Sequence, residues 1–356
     1  MKILIVKLSS LGDVVHTMAA VQDIVRVYPE AQIDWVVERG FAALVQRCAG
    51  VRRVVSCELR RWRKAPLSAP SRADWQAFKA DLQSEAYDAV IDLQGLTKSA
   101  LISWLACLAP GGSRYALANQ TEGSSYEAPT RWVANVLVLV PPHIHAVARS
   151  RELCARALNY RVPDQQSFGL LAHVNPAQAA IKNIAFEAVQ EVFQASAGGK
   201  GVVALVHGTS RADKEWPLEH WQALGQRLNA AGYALALPHG SDAEERVARQ
   251  IAAPLAHAQV WPRLGLDLLC DALGACAGVV GVDSGLSHMA VALDLPHVQI
   301  YNFDTAWRTG PQALANSSSS TSNTNALPRQ CSVFALPTPS VEAVWQAWLD
   351  VTREAR

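Results

Sequence analysis

The chain has 356 residues, a length that predicts two domains; half of its residues are apolar, 18% are charged, and the formal net charge is +1. No apolar run approaches the roughly 18 to 20 residues of a membrane span, and the apolar run at 3–6 ends at Lys7, too early for the core of a secretory signal. The seven cysteines are scattered without a C-x-x-C pair, which favours a reducing cytoplasm over a disulfide framework or a zinc site.

Short β-rich runs alternate with helical patterns through the first half of the chain. The predicted strands are 3–8, 33–38, 54–58 and 89–93, and the predicted helices are 14–27, 41–48, 74–85, 98–108 and 149–160. This order is typical of βαβ units and a parallel sheet. A polar stretch at 161–168, which contains Pro163, is predicted to be a linker.

A second alternation follows the linker. Its predicted strands are 202–206, 234–238, 259–261, 279–282 and 298–301, with helices at about 217–230, 242–252, 266–276 and 285–293. The polar tract at 315–326 cannot bury apolar surface and is predicted to be mobile. We therefore expect an α/β protein with two doubly wound parallel-sheet domains, 1–165 and 175–336, that face a cleft. A C-terminal helix at 340–356 is expected to pack back on the first domain.

The most informative motif joins the first predicted strand to the first helix. Residues 7–17 read KLSSLGDVVHT, a tight turn that places Asp13 at the carboxyl edge of the sheet, where open α/β sheets bind ligands. The motif has no G-x-G-x-x-G, so an ordinary dinucleotide fingerprint is absent. Spacing alone leaves two interpretations of Asp13 open, a catalytic carboxylate and a helix cap.

Two loops of the second domain have the composition of an anion site. Each follows a buried strand and opens a helix, where backbone N–H groups and the helix dipole favour negative charge. The residues of these loops that we expect at the site are Thr209, Ser210, Lys214, Asp283, Ser284, Gly285 and His288. Either loop alone also fits a plain connection whose hydroxyls cap a helix, but together they predict a nucleotide-diphosphate site. A Walker A motif is absent, which disfavours NTP hydrolysis.

A basic cluster at 60–64, RRWRK, suits an acidic ligand. The first 160 residues carry 19 Lys and Arg against 14 Asp and Glu, so this half favours an anionic partner. Arginine binds carboxylates and phosphates bidentately, and Lys98 is a further candidate cation. A solvated charge run or an anionic membrane patch fits the cluster too, whereas the modest excess and the absence of a recognisable module argue against nucleic acid.

Together these segments resemble the heptosyltransferases of lipopolysaccharide core assembly. The resemblance extends along most of the chain and is carried by KLSSLGDVVHT (7–17), DWVVERGF (34–41), RRWRKA (60–65), YDAVIDLQGLTKSA (87–100), HGTSRADKEWP (207–217) and VDSGLSHMAVALD (282–294). It implies the GT-B architecture, with two Rossmann-like domains around a cleft. It also implies transfer of L-glycero-D-manno-heptose from ADP-heptose to the first Kdo of Kdo2-lipid A, with inversion and without a metal or other cofactor.

The resemblance implies roles for individual residues. Asp13 matches the catalytic base, and Lys214 assists the leaving diphosphate. The donor side also includes Thr209, Ser210, Asp283, Ser284, Gly285 and His288. The expected acceptor side comprises Ser10, Gly12, Arg60, Arg61, Arg63, Lys64 and Lys98. A lipid-bearing acceptor implies peripheral association with the anionic cytoplasmic face of the inner membrane.

Three other functions remain open at this point. A heptosyltransferase that acts one step later would use heptosyl-Kdo2-lipid A as its acceptor. A nucleotide-sugar epimerase on the same fold would convert the donor without an acceptor. A non-catalytic ADP-sugar-binding protein would use Asp13 only as a helix cap.

Overall fold

The computed structural model describes residues 1–172, 199–312 and 329–353. The chain divides into two compact units, Met1–Leu170 and Leu171–Arg356. The polar tract predicted at 315–326 lies outside the described residues.

The first unit contains a six-stranded parallel sheet in the order β3-β2-β1-β4-β5-β6. Its strands are β1 (Lys2–Val6), β2 (Gln32–Glu38), β3 (Val51–Cys57), β4 (Ala86–Asp92), β5 (Cys107–Leu117) and β6 (Val136–Val138). Strand β1 is apolar and buried from Ile3 to Val6, as expected where helices cover both faces of a parallel sheet. This order is that of a doubly wound fold.

Seven helices are described in the first unit. They are α1 (Leu11–Val27), α2 (Arg39–Val45), α3 (Leu59–Lys64), α4 (Ala69–Leu82), α5 (Thr97–Leu105), α6 (Pro129–Val133) and α7 (Ala146–Ala157). Trp62 of α3 and Phe78 of α4 belong to the same buried cluster as Val6 and Val36. Both helices are thereby held against the sheet by apolar burial.

The second unit repeats this strand order. Its strands are β7 (Val202–Val206), β8 (Ala234–Leu237), β9 (Ala258–Val260), β10 (Gly278–Val282), β11 (His297–Tyr301) and β12 (Gln330–Phe334). All neighbours are parallel, in the order β12-β11-β10-β7-β8-β9. The six strands taken in chain order thus occupy the same positions as those of the first unit.

The described helices of the second unit are α8 (Leu218–Ala230), α9 (Asp242–Ala252), α10 (Leu266–Gly274), α11 (Gly285–Ala292), α12 (Ala306–Thr309) and α13 (Val341–Val351), with a 3-10 turn at Ala212–Lys214. The predicted fold class, two doubly wound parallel sheets, is therefore confirmed.

The C-terminal helix was expected to pack back on the first unit, but its buried face lies in the second. Helix α13 inserts Val344, Trp348 and Val351 into the core of the second unit. Trp348 is fully buried and meets Tyr233 edge to face, with ring centroids 5.5 Å apart. The helical periodicity showed that one face of α13 is buried but contained no information about which core receives it.

Several elements were missed for local reasons. Strand β5 contains Pro110, Gly111 and Gly112, residues that rarely occur inside strands. It begins at Cys107, so the helix predicted at 98–108 ends at Leu105. The basic run at 60–64 forms α3 because the side chain of Trp62 is buried and anchors the helix. The charged residues around Trp62 gave no indication of this burial. No described helix is both long and apolar enough to cross a membrane.

Candidate active site

The strand order of the first unit reverses between β1 and β4, and ligands of doubly wound sheets bind at such a point. Val6 pairs with Asp92, so the turns that follow the two strands lie side by side. One turn carries Ser9, Ser10 and Asp13, and the other carries Lys98. The topology thus brings together two segments that are far apart in sequence.

The two carboxylate oxygens of Asp13 have different neighbours. Oδ2 accepts hydrogen bonds from the backbone N–H and the hydroxyl of Ser10, at 3.2 and 3.0 Å, at the N-terminus of α1. Oδ1 lies 3.4 Å from Lys7 Nζ and 3.7 Å from Arg149 Nη2. Oδ2 therefore acts as a helix cap, as one of the two interpretations expected, whereas Oδ1 faces two cations. Gly12 lies beside them, in the first turn of α1.

Electrostatics keeps Asp13 ionised. Burial by itself raises the pKa of Asp13, but the positive charges of Lys7 and Arg149 outweigh it and hold that pKa below its ordinary value. Burial lowers the pKa of Lys7, while the Asp13 carboxylate opposes this shift. The Asp13 side chain is 34% exposed and Lys7 only 2%, so a ligand can reach the carboxylate but not the ammonium group behind it.

The turn after β4 is built around Asp92. Its carboxylate accepts hydrogen bonds from Gln94 N at 2.9 Å, Gly95 N at 3.1 Å and Ser99 Oγ at 2.9 Å. Gly95 has φ +75°, a conformation that other residues rarely adopt. Burial raises the pKa of Asp92 to about 6, against these hydrogen bonds.

This second turn positions the first. Gln94 Oε1 accepts hydrogen bonds from the backbone N–H groups of Leu8 and Ser9, at 3.0 and 3.1 Å. Lys98 Nζ donates to Ser9 Oγ at 2.8 Å. Asp92 therefore acts on the Asp13 turn through Gln94, and Lys98 joins the Asp13 region to the surface of α3.

A pocket of about 500 Å³ opens beside α3, and we call it the basic pocket. Its cations are Arg60, Arg63, Arg72 and Lys98, and its other lining residues are Glu38, Leu59, Trp62, Pro66, Ser71, Trp75 and Leu101. Three of the predicted acceptor residues, Arg60, Arg63 and Lys98, are thus brought together. Four cations together with aromatic and aliphatic lining residues suit an acidic ligand that also has apolar surface.

Arg61 and Lys64, also predicted on the acceptor side, do not line the basic pocket. Arg61 donates to Glu58 at 2.7 Å and also pairs with Asp74. Lys64 is exposed at the last residue of α3. The helical period places Arg60 and Arg63 on one side of α3 and turns Arg61 away, whereas Lys64 is the residue at which the helix ends.

Glu38 is a buried acid among these cations. Its carboxylate accepts a hydrogen bond from the backbone N–H of Arg60, whereas its buried Oε1 has no hydrogen-bond partner among the described residues. Burial raises the pKa of Glu38, against the charges of Lys98 and Arg60. Glu38 thus attaches the start of α3 to the end of β2 and reduces the net charge of the pocket.

The strand order of the second unit reverses between β7 and β10. Val206 pairs with Gly281, so the loop at 207–217 lies beside the loop that opens α11. A Cβ at Gly281 would lie 2.4 Å from Ser287 Oγ, and glycine there permits α11 to begin close to the sheet. The two predicted donor loops are therefore adjacent.

Asp283 joins the two loops. Its Oδ2 accepts a hydrogen bond from Lys214 Nζ at 2.6 Å, its Oδ1 lies 3.3 Å from His288 Nε2, and its backbone carbonyl accepts from Thr209 Oγ1 at 3.3 Å. Burial raises the pKa of Asp283, but His288 and Lys214 outweigh it, so the net shift is downward. Asp283 therefore orients Lys214, which explains an acid next to a predicted anion site.

The N-terminus of α11 completes this group. Ser284 is its N-cap residue and Gly285 its first residue. Ser284 Oγ is buried and has no hydrogen-bond partner in the described part of the chain. Unpaired backbone N–H groups, this hydroxyl and the Lys214 ammonium group are the donors that a phosphate requires. Ser210 is exposed in the facing loop.

Sequence reasoning missed Arg149, Asp92, Gln94, Glu38 and Arg72. A polar residue at the end of a buried strand was a usable signal for Asp92 and Glu38. No such signal distinguished Arg149 from Arg151 on the same helix. Both arginines are buried, but Arg151 pairs with Asp23 at 2.6 Å, away from Asp13. Across the described ranges, no group of three or more His, Cys, Asp or Glu could hold a metal ion.

Two doubly wound units, each with charged side chains at the switch point of its sheet, are the architecture of the GT-B class of glycosyltransferases. Residues 75–334 match glycosyltransferase family 9 (heptosyltransferase), and the chain belongs to that family.

Relatives support this assignment. Lipopolysaccharide heptosyltransferase 1 of Escherichia coli K12 is 39% identical over 302 residues, which cover 85% of this chain and 88% of the relative. The structure of E. coli heptosyltransferase WaaC with ADP matches with a TM-score of 0.78 and 33% identity, over 97% of this chain and 98% of that one. The structure of WaaC with ADP-2-deoxy-2-fluoro heptose matches with a TM-score of 0.74, the same identity and the same coverage.

Proposed function

We propose that this enzyme transfers L-glycero-D-manno-heptose from ADP-heptose to the first Kdo of Kdo2-lipid A, with inversion at the anomeric carbon. The observation that carries the proposal is the geometry of Asp13, whose Oδ2 holds the helix cap while the ionised Oδ1 is available to a hydroxyl group. The E. coli relative named heptosyltransferase 1 and the solved complex with a fluorinated ADP-heptose support the choice of reaction and donor.

Asp13 is the proposed general base. Its Oδ1 takes the proton of the acceptor hydroxyl as that oxygen forms a bond to the anomeric carbon and the bond from this carbon to the diphosphate breaks. Lys7 and Arg149 ensure that Oδ1 is ionised before the acceptor binds, because they lower the pKa of Asp13 against the effect of burial. A low pKa also makes the carboxylate a weak base, so proton transfer is expected late, when the attacking oxygen has become acidic.

The anion site of the second unit is the proposed diphosphate site. The leaving ADP gains negative charge as the bond to the sugar breaks, and preorganised donors stabilise that charge. Lys214 supplies a full positive charge and is oriented by Asp283, while Ser284 and Gly285 supply a hydroxyl and backbone donors at the N-terminus of α11. Thr209 ties the two loops together, and Ser210 and His288 complete the donor side.

The basic pocket is the proposed acceptor site. Its arginines and Lys98 match the carboxylates of Kdo and the phosphates of lipid A, and Trp75 offers a face to sugar C–H groups. Ser10 and Gly12 stand next to Asp13, where the reacting hydroxyl must arrive. Since the acceptor is a lipid, we also propose that the enzyme acts as a peripheral protein on the cytoplasmic face of the inner membrane.

The test is ADP release by the purified enzyme supplied with ADP-heptose. Three parallel reactions contain Kdo2-lipid A, heptosyl-Kdo2-lipid A or no acceptor, and Asp13→Asn serves as the inactive control. Release that requires Kdo2-lipid A is the expected result. Release only with the heptosylated acceptor would assign the following step, and conversion of the donor without ADP release would indicate an epimerase.

A further inference from the structure

An unusual apolar surface lies on α5 and α6 of the first unit. Trp132 is 79% exposed, Trp104 62% and Leu101 41%. Helices α5 and α6 pack against each other, and Leu101 and Trp104 are three residues apart on one side of α5. We call these three residues the tryptophan face.

The opposite side of α5 already faces the core. Ser99, Ile102 and Ser103 are buried there, so α5 has apolar residues on both sides. A surface helix normally exposes polar side chains. The folding of α5 therefore does not require that the indole of Trp104 be exposed. Large apolar side chains that are exposed on two neighbouring helices indicate an interaction site.

The tryptophan face continues into the basic pocket. Leu101 belongs to both, and Lys98, which also lines the pocket, lies one turn before Leu101 on α5. Leu67, which is 83% exposed, comes directly after the lining residue Pro66. Exposed apolar side chains thus belong to, or directly follow, residues that line the pocket.

Charge decides which partner fits. Helices α3, α5 and α6 contain no Asp or Glu. Their cations are Arg60, Arg63, Lys64, Lys98 and Arg131, besides Arg61, which pairs with Glu58 and Asp74. A second copy of the chain would oppose cations with cations in a symmetric contact. Anionic lipid headgroups attract such a surface, and tryptophan prefers the boundary between headgroups and acyl chains.

We propose that the tryptophan face docks on an anionic phospholipid bilayer, with Trp104 and Trp132 at headgroup depth and the basic pocket at the lipid surface. The biological reason for docking rests on the proposed function, in which the acceptor is a lipid. The physical argument does not, because it uses only the exposure and charge of this surface.

Flotation with lipid vesicles tests the proposal. The wild-type enzyme, without substrates, is mixed with vesicles of phosphatidylethanolamine and phosphatidylglycerol or of phosphatidylcholine alone. We expect binding to the anionic vesicles, and a roughly tenfold or larger loss of affinity in Trp104→Ala/Trp132→Ala because two apolar anchors are removed. Trp104→Phe/Trp132→Phe should retain most of the binding. The matched control is Leu336→Ala/Leu349→Ala, which removes exposed leucines from the second unit.

ADP release with a soluble, deacylated acceptor separates docking from catalysis. The tryptophan double variant should match the wild type in that assay, since neither residue lines the basic pocket. Absence of wild-type binding to anionic vesicles, or equal binding by the double variant, would overturn the proposal. So would a change of oligomeric state in the double variant, which would make the face a contact between copies. An inactive wild type that still binds vesicles would refute the proposed function and leave the docking face intact.

Discussion

At the scale of single residues, the two carboxylate oxygens of Asp13 have different partners. A substitution can therefore separate the capping of α1 from the proposed role as general base. In Asp13→Asn, the remaining amide oxygen can still accept the hydrogen bond from Ser10 N, so α1 stays capped. The base is lost, and we expect kcat to fall by about 10²- to 10⁴-fold. Kinetics of ADP release measures this, with the melting temperature and ADP affinity as controls. A near-wild-type kcat would show that Asp13 is not the general base.

Arg149 sets the pH dependence of the same carboxylate. Its charge lowers the pKa of Asp13, so Arg149→Gln should raise that pKa. The base must be ionised to act, and the acid limb of kcat/KM should therefore move to higher pH. Profiles from about pH 8 down to the lowest pH at which both variants stay folded, with a soluble acceptor, measure this shift. Arg156→Gln is the matched control, since Arg156 lies on the same helix but pairs with the exposed Glu152; equal profiles for both variants would contradict the assignment.

Lys214 and Arg211 form a second matched pair of cations. Lys214 is oriented by Asp283, whereas Arg211 is 61% exposed and pairs with Asp213. Lys214→Ala should lower kcat by about 10²-fold or more, because one donor to the developing phosphate charge is lost. Arg211→Ala should have a much smaller effect. Similar losses in the two variants would show that overall charge, rather than the oriented ammonium group, supports departure of ADP.

At the scale of elements, the short helix α3 places neighbouring cations in different surroundings. Arg60 lines the basic pocket, and Arg61 pairs with Glu58 and Asp74. We expect Arg60→Ala to raise the acceptor KM by roughly tenfold or more, through loss of a charge-assisted hydrogen bond. Arg61→Ala should leave it nearly unchanged. Steady-state kinetics with Kdo2-lipid A distinguishes the two, and the reverse order would place the acceptor on the other side of α3.

At the scale of the whole molecule, each unit has a core of its own, and the last helix belongs to the second. Trp348 has no exposed surface and contacts a sheet position where only glycine fits, since a Cβ at Gly278 would lie 2.7 Å from its ring. Trp348→Ala should destabilise the second unit by about 3 to 5 kcal/mol. Hydrogen exchange should then speed up in β7 and β10 while β1 and β4 keep their protection. Faster exchange in β1 and β4 alone would contradict this packing.

The sequence by itself determined the two doubly wound units and the turn that carries Asp13. Strand and helix periods are local properties, and the polar residues that follow buried strands mark the functional edge of a parallel sheet. It also located the two loops that we propose for the donor, because their hydroxyls, Lys214 and Gly285 lie next to predicted strand ends. The family resemblance then supplied chemical roles that spacing had left open.

Only the tertiary structure decided which charges act on which groups. Arg149 reaches Asp13 from a helix more than a hundred residues later, and Asp283 reaches Lys214 from another loop. The side of α3 that faces the basic pocket, and the core that receives α13, were likewise decided by packing. Local patterns show that a side chain is buried or charged, but its partner depends on long-range contacts that exist only in the folded chain.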